Sequence, residues 1–522
     1  MHTTTNRVTG IIDIGSNTVR LSVYQISGNG AYRVVDQGRW SARLSQRMAA
    51  DGTLPAEAAN ELAEVLRHYV RICAKHGAER IRAVATAAIR QAVNREDVIA
   101  RLRSASGLDI EILSGEEEAR IGSVAMLNSL PFDDGFVVDI GGGSTEITLL
   151  RNRKVVSAVS FPIGCVNVSA RYGLGEGPVP QETLNEIFAD TKRLLEGADW
   201  ISKHPGLPLI GLGGTVRALA KLRQRESGYP FPHLHGYEMS EADVSGALED
   251  LARITVPQRR KRPGLSKDRG DVIVPGLSVL LGVMKHTQAS ALAVCGTGLR
   301  DGLFYETCKP YPLPSSVGDI LEESVRNLNA LYPAAPGEHL RQVRKLAAAL
   351  FERLADSSTL PEESRRLLES AVSLSRIGAT IDYNDCADHT FYMLLHTHWN
   401  GLSHRETILT AAIASYRSSS SARRRLSPYQ SLLLDDDQET VVRLGTLLLL
   451  ASALDRSESQ AISALGIAVE DKKLRLLAES EDPLPVERME VANMAKEFKK
   501  VWGMTPELQV VRANAAASAD RL

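Results

Sequence analysis

The feature that most constrains this chain is a repeated one. A strand ending in Asp-Ile-Gly, a small polar turn and a second strand occur around Asp13 and again around Asp139, 126 positions later. The first copy reads Gly10-Ile-Ile-Asp13-Ile-Gly15-Ser16-Asn17-Thr18, and the second Phe136-Val-Val-Asp139-Ile-Gly141-Gly142-Gly143-Ser144-Thr145-Glu146. Apolar and β-branched residues precede each Asp and resume after each turn (Val19, Leu21, Val23; Ile147, Leu149, Leu150), which predicts two tight hairpins with glycine-rich tips. Glycines let backbone N–H groups converge on an anion, the hydroxyls of Ser16, Ser144 and Thr145 add donors, and an Asp at a strand end can hold Mg2+ directly or through water. Two such tips facing one another would clamp a phosphate and its metal.

Matching hairpins at domain-scale separation predict two related α/β lobes around a cleft, a layout that resembles the actin, sugar kinase and chaperone ATPase superfamily. A third glycine turn supports it: Leu209-Ile-Gly211-Leu-Gly213-Gly214-Thr215 follows a short apolar strand and opens a helix expected over Val216 to Arg223, placing N–H groups at a helix N-terminus. The chain has no GxxxxGK[ST], which disfavours a P-loop NTPase.

The segment Glu111-Ile-Leu-Ser114-Gly115-Glu116-Glu117-Glu118-Ala119-Arg120 narrows the reading. Together with DIGSNTVRL, ATAAIRQA (Ala85 to Ala92), DIGGGSTE and GLRDG (Gly298 to Gly302), it resembles the exopolyphosphatase and guanosine pentaphosphate phosphohydrolase family, in order through the first three hundred residues and more loosely beyond. The resemblance implies hydrolysis of a terminal phosphoanhydride with Mg2+ as cofactor. It places the water-activating glutamate at Glu118, the metal carboxylates at Asp139 and Asp13, a second acid at Glu146 and a phosphate-binding arginine at Arg90. The glycine N–H groups and polar side chains of the turns make Ser16, Asn17 and Gly141 to Thr145 on the two tips, with Gly213, Gly214 and Thr215 on the third turn, the candidate phosphate contacts.

The chemistry is consistent with these residue types. Cleaving a phosphoanhydride needs an in-line water, a carboxylate to orient or deprotonate it, and cations with N–H dipoles to take up charge on the phosphoryl oxygens. An acidic triplet is ordinarily a solvated helix face. Glu116 and Glu117 keep that reading, whereas Glu118 follows a strand-turn and opens a helix just ahead of the second hairpin. The guanidinium fork of Arg90 suits bidentate contact with a phosphoryl group.

A formal net charge of −2 over 522 residues conceals local clustering. Arg259, Arg260, Lys261, Arg262, Lys267 and Arg269 form one basic stretch and Arg423, Arg424 and Arg425 another, each a surface that a long polyanion could track. An aromatic content of 5% offers no stacking platform for nucleic acid. Five cysteines without CxxC or CxxH spacing argue against a disulfide framework or zinc site, MHTTTNRVTG has no apolar signal core, and Leu444 to Leu454 is too short to span a bilayer. The expected compartment is the cytoplasm, with no membrane and no nucleic-acid partner.

Strand and helix patterns divide the chain into lobe I (residues 1–127), lobe II (128–309), an all-helical domain (315–460) rich in leucine and alanine at helical spacing, and a small ββαβ module (461–522). The stretch Ser418 to Arg425 breaks the helical pattern and is expected to be a mobile loop. In longer members of the family the helical domain resembles HD-type metal phosphohydrolases. Here Ser375 and Arg376 stand where the HD pair would, and Arg417 where a second histidine is expected; Asp455 is kept. His389, His396, His398 and His404 are then packing or surface residues, and the domain shapes the substrate channel or a homodimer interface.

The leading expectation is an exopolyphosphatase acting on inorganic polyphosphate. The rival within the family is a guanosine pentaphosphate 5′-phosphohydrolase, and the rivals outside it are a phosphotransferase on the same scaffold and a non-catalytic polyphosphate or alarmone sensor. The helical domain and basic clusters favour polyphosphate, Glu118 favours hydrolysis over transfer, and the full set of acids disfavours a pure sensor.

Overall fold

The computed structural model describes residues 6–308, 314–355 and 360–512. In the first part of the chain, β1 (Arg7–Ile14), β2 (Val19–Ile26), β3 (Tyr32–Trp40), β4 (Arg80–Ala85) and β5 (Ile110–Ile112) form a sheet in the order β3-β2-β1-β4-β5. The strands β6 (Gly135–Ile140), β7 (Thr145–Arg151), β8 (Lys154–Phe161), β9 (Leu209–Leu212), β10 (Glu238–Ser240) and β11 (Ala291–Val294) form a second, in the order β8-β7-β6-β9-β11-β10. Each sheet begins as an antiparallel meander and continues with strands parallel to the first, the second sheet closing on β10 antiparallel to β11. The duplication extends to irregularities: the register shifts at Val23/Tyr24 between β2 and β3, and at Leu149/Leu150 between β7 and β8. These positions are separated by the same interval as Asp13 and Asp139.

Helices cover the sheets as α/β packing requires. Ala56–Lys75 and Arg95–Ser106 bury Leu62, Leu66 and Leu102 against Ile12, Leu21 and Ala83 of the first sheet. Ile273–Thr287 is buried along nearly its whole length in the second lobe, which is why its sequence is apolar on every face. The helix Gly115–Leu127 starts at a capping box, Ser114 Oγ accepting from Glu117 N while the Glu117 carboxylate accepts from Ser114 N.

Two boundaries differ from expectation. The helix Leu299–Cys308, expected to close lobe II, packs on the first sheet, where Leu303, Phe304 and Tyr305 join Ile11, Tyr24 and Ile121. Phe304 stacks on Tyr24 with ring centroids 4.1 Å apart, and Tyr24 Oη donates to Asp301 at 2.9 Å. Aromatic burial on that face outweighs proximity in sequence. The chain divides into two compact units, residues 1–320 and 321–522, so the expected break near 460 does not separate the helical part from the strands after it.

The second unit holds helices from Gly337–Ala355 to Asp437–Ala453, then β12 (Ala464–Glu470), β13 (Lys473–Glu479), a helix Pro485–Trp502 and β14 (Thr505–Val511) in the order β12-β13-β14. Trp502 Nε1 donates to Thr446 Oγ1 at 2.8 Å, tying the two parts together. Ser418 to Arg425 is not a loop: Ser419–Leu426 is helical, with Ser418 as its N-cap and the Glu497 carboxylate accepting from Ser419 N at 2.7 Å. Arg425 is buried there, donating to the Ser415 carbonyl and to Asp388, both at 2.6 Å, so it is not a polyanion contact. Asp455, kept from the expected HD set, accepts from Gln460 N and lies 2.8 Å from His339 Nδ1; Arg376 is paired with Glu458.

Candidate active site

The two hairpin tips meet across a cavity of about 340 Å³. Contact between them is close: a Cβ added to Gly142 would lie 3.1 Å from Ser16 Cβ, and one added to Gly143 would lie 3.1 Å from Ser16 Oγ. The Gly141 to Ser144 turn is held from behind by the helix Cys165–Arg171. Cys165 N donates to Gly141 O, Val166 N to Gly142 O, and Asn167 Nδ2 to Gly143 O. Gly164 is required at that junction, since a Cβ there would come within 2.6 Å of the Gly142 carbonyl group. These carbonyls are thereby engaged away from the cavity, as an anion cradle needs.

Hairpin register sets the charges. Asp13 on β1 pairs with Arg20 on β2, and at the equivalent position of the second hairpin Asp139 pairs with Glu146. One hairpin therefore presents an acid and a base, and the other two acids. Asp139 also lies against the third glycine turn, where the helix Gly213–Ser227 begins: a Cβ on Gly213 would be 2.1 Å from Asp139 Oδ1, and Gly213 has φ +81°. The carboxylate thus sits at a helix N-terminus, whose dipole favours the anion.

Desolvation raises four of the carboxyls around the cavity. It lifts Asp13 to about 6, against the pull of Arg300 and Arg20, and lifts Asp139 against Arg217, Arg20 and Arg269. Glu146 is raised to about 7 by burial, although Ser160 Oγ donates to its Oε1 at 2.7 Å. Glu118 is raised by desolvation and by the nearby Glu146. Its Oε2 accepts from Arg90 Nη1 at 3.1 Å, and the same nitrogen donates to Leu113 O at 2.7 Å. Desolvation also lowers Arg20 to about 10 and lowers Arg217. Acids pushed up and arginines pushed down share one small space, which is an environment set to receive a strongly charged ligand.

Most expected residues reach this cavity. Asp13, Ser16 and Asn17 line it from lobe I, and Gly141, Gly142, Ser144 and Glu146 from lobe II. Glu118, Asp139, Gly213, Gly214 and Arg269 complete the agreement. The rest are corrections. Arg90 does not line the cavity; one nitrogen of its fork, Nη1, is bonded to Leu113 O and Glu118. Gly143 packs against the opposite tip, while Thr145 and Thr215 turn inward, their hydroxyls donating to Ile163 O and Ile140 O.

The basic stretch splits apart. Arg259 is 1% exposed and donates to Leu251 O at 2.7 Å, so it braces the interior. Arg262 is paired with Glu226, Arg260 packs beside Gly270, and Lys261 and Lys267 are exposed without lining the cavity. Only Arg269 enters. Sequence reasoning missed Arg20, Arg217 and Arg300, which also line the cavity. The signal for Arg20 was its hairpin register, seven residues after Asp13 as Glu146 is after Asp139. Arg300 stands inside GLRDG.

The acids offer only oxygen donors. Among the described residues, no three acidic, imidazole or thiol groups converge to chelate an ion by themselves. Carboxylate oxygens are the donors that a hard cation such as Mg2+ takes, completing its shell with water and phosphate oxygens. Asp13 and Asp139, on opposing tips, are the residues suited to hold it.

Residues 22–310 match the Ppx/GppA phosphatase family and residues 320–495 match Ppx/GppA phosphatase, domain III. Among solved structures, the chain is similar to a Ppx/GppA family member from Aquifex aeolicus at 30% identity and TM-score 0.51, over 59% of this chain and 100% of that one. It is similar in fold to an exopolyphosphatase from Cytophaga hutchinsonii at 22% identity and TM-score 0.55, over 59% and 99%. Among the described residues, no helix is long and apolar enough to cross a membrane. With its two actin-like lobes, the chain belongs to the Ppx/GppA phosphatase family and is a phosphoanhydride hydrolase.

Proposed function

We propose that the protein is a Mg2+-dependent exopolyphosphatase that removes terminal orthophosphate from inorganic polyphosphate. The observation that carries this reading is the single cavity in which Glu118 and Glu146 face a set of arginines across glycine-rich tips. Its walls are glycine backbone, hydroxyls and charged groups, with Ala87, Ile140 and Leu299 the apolar members. Such walls suit a run of phosphoryl groups better than a nucleobase, which is usually held by stacking.

In this mechanism the terminal phosphoryl group sits between the tips, with Ser16, Asn17 and Ser144 donating to its oxygens. Arg20, Arg217, Arg269 and Arg300 take up negative charge as the bridging bond lengthens. Glu118 accepts a proton from the attacking water; a raised carboxyl is suited to that task, and Arg90 fixes its orientation. Mg2+, held by Asp139 and Asp13, would supply charge neutralisation at the phosphoryl oxygens. The leaving chain departs with the electron pair of the broken P–O bond.

The test is phosphate release from purified protein given long polyphosphate, tripolyphosphate or guanosine pentaphosphate, with Mg2+ present or chelated. Polyphosphate should be the better substrate and chelation should abolish turnover. Preferential release from guanosine pentaphosphate would transfer the assignment to the 5′-phosphohydrolase, and binding without release would make the protein a sensor.

A further inference from the structure

We infer that Arg43 is a positioning residue that clamps the two lobes in their phosphate-binding geometry, an inference that rests on the phosphoanhydride-hydrolase reading above. Arg43 follows β3 on lobe I and has φ 48° and ψ 40°, a left-handed conformation that non-glycine residues adopt at a cost. That conformation lets one residue reach in two directions. Its backbone N donates to Asn17 O at 3.0 Å, on the tip that lines the cavity, and two residues on Ser45 N donates to Ser16 O at 3.2 Å. Its guanidinium crosses to lobe II, where Nη1 donates to Asp271 Oδ2 at 2.8 Å and Nη2 to Asp271 Oδ1 and Asp268 O, both at 3.4 Å. Arg39 on β3 is paired with Asp268 beside it.

The lobe II segment that Arg43 grips is the one that carries Arg269 into the cavity. Arg269 is buried against the third glycine turn: a Cβ on Gly214 would lie 1.8 Å from its Nη2. Arg43 therefore joins the tip donors of lobe I to the one residue of the basic stretch that reaches the substrate site. An exposed ion pair usually contributes little. This one differs because the guanidinium bonds Asp271 and the Asp268 carbonyl on lobe II while Nη1 also donates to Gln46 Oε1 on its own lobe, and because it is partly buried and springs from a strained backbone already bonded to the tip. Losing it frees the lobes to part in the unliganded protein, which weakens phosphate binding; bound phosphate draws the tips, and with them the acids of both lobes, back together.

The experiment uses the full-length chain with tripolyphosphate and compares the parent with Arg43→Asn, Asp271→Asn, the double variant, and the reciprocal exchange Arg43→Asp with Asp271→Arg. Asn and Asp tolerate the left-handed conformation, so the backbone is spared. Each single variant should raise KM about tenfold with a much smaller change in kcat and an unshifted Tm; the double should be no worse than either single, and the exchange should recover most of the loss. Hydrogen exchange of the unliganded protein should quicken at residues 15–18 and 268–272 in both singles, whether or not the parent turns over substrate. Unchanged exchange and KM, or additive losses accompanied by a lower Tm, would overturn the clamp. A parent that releases no phosphate while exchange still responds to Arg43→Asn would sink the activity and keep the clamp.

Discussion

In the proposed mechanism Glu118 is the base and Asp139 a metal ligand, separable roles that replacement of each should expose. Glu118→Gln keeps the shape of the side chain and its contact with Arg90 but removes the base. Turnover should fall by about two orders of magnitude or more, with KM little changed, in a steady-state assay of phosphate release. Asp139→Asn removes a charged ligand at the helix N-terminus, so a Mg2+ titration of activity should shift to higher concentration; an unshifted titration would remove Asp139 from the metal site. A third test adds a methyl group. Gly214→Ala places a carbon where the Arg269 guanidinium now lies, while alanine is the better helix former. KM should rise by about tenfold or more with Tm held or slightly raised, since the cost falls on the arginine and not on the helix.

Among the elements, the hairpins were legible because apolar and β-branched runs on either side of a glycine-rich polar turn read as paired strands. The helix Leu299–Cys308 was legible as a helix but not as a part of lobe I. Its destination depends on a stack between Phe304 and Tyr24, residues far apart in the chain, and no local pattern encodes that partner. Phe304→Ala should cost about 3–5 kcal/mol in denaturant unfolding, because it empties a closed aromatic cluster. The helix Ser419–Leu426 was hidden for a different reason. Its serines favour turns when judged locally, and Glu497, from a helix some eighty residues later, adds to the local Ser418 cap by accepting from Ser419 N and Oγ.

At the scale of the whole molecule, the basic stretch shows how charge in sequence misleads. Arg259 is buried and bonded to backbone carbonyls, so Arg259→Gln should lower Tm and reduce activity on long and short polyphosphate alike. A selective loss on long chains would restore it as a substrate contact. The duplicated hairpins, the third glycine turn, the acidic helix start and the helical character of residues 315–460 were determined by sequence alone, because each rests on local periodicity or on glycine at fixed spacing. Only the tertiary structure decided which charges meet. Arg20 and Glu146 occupy equivalent places in a duplicated hairpin and carry opposite charge, Arg90 turns to hold Glu118, and Arg269 alone among its basic neighbours reaches the cavity. A side chain's partner is set by which strand register and which lobe surface it folds against, and those are long-range outcomes of packing that residue order along the chain does not contain.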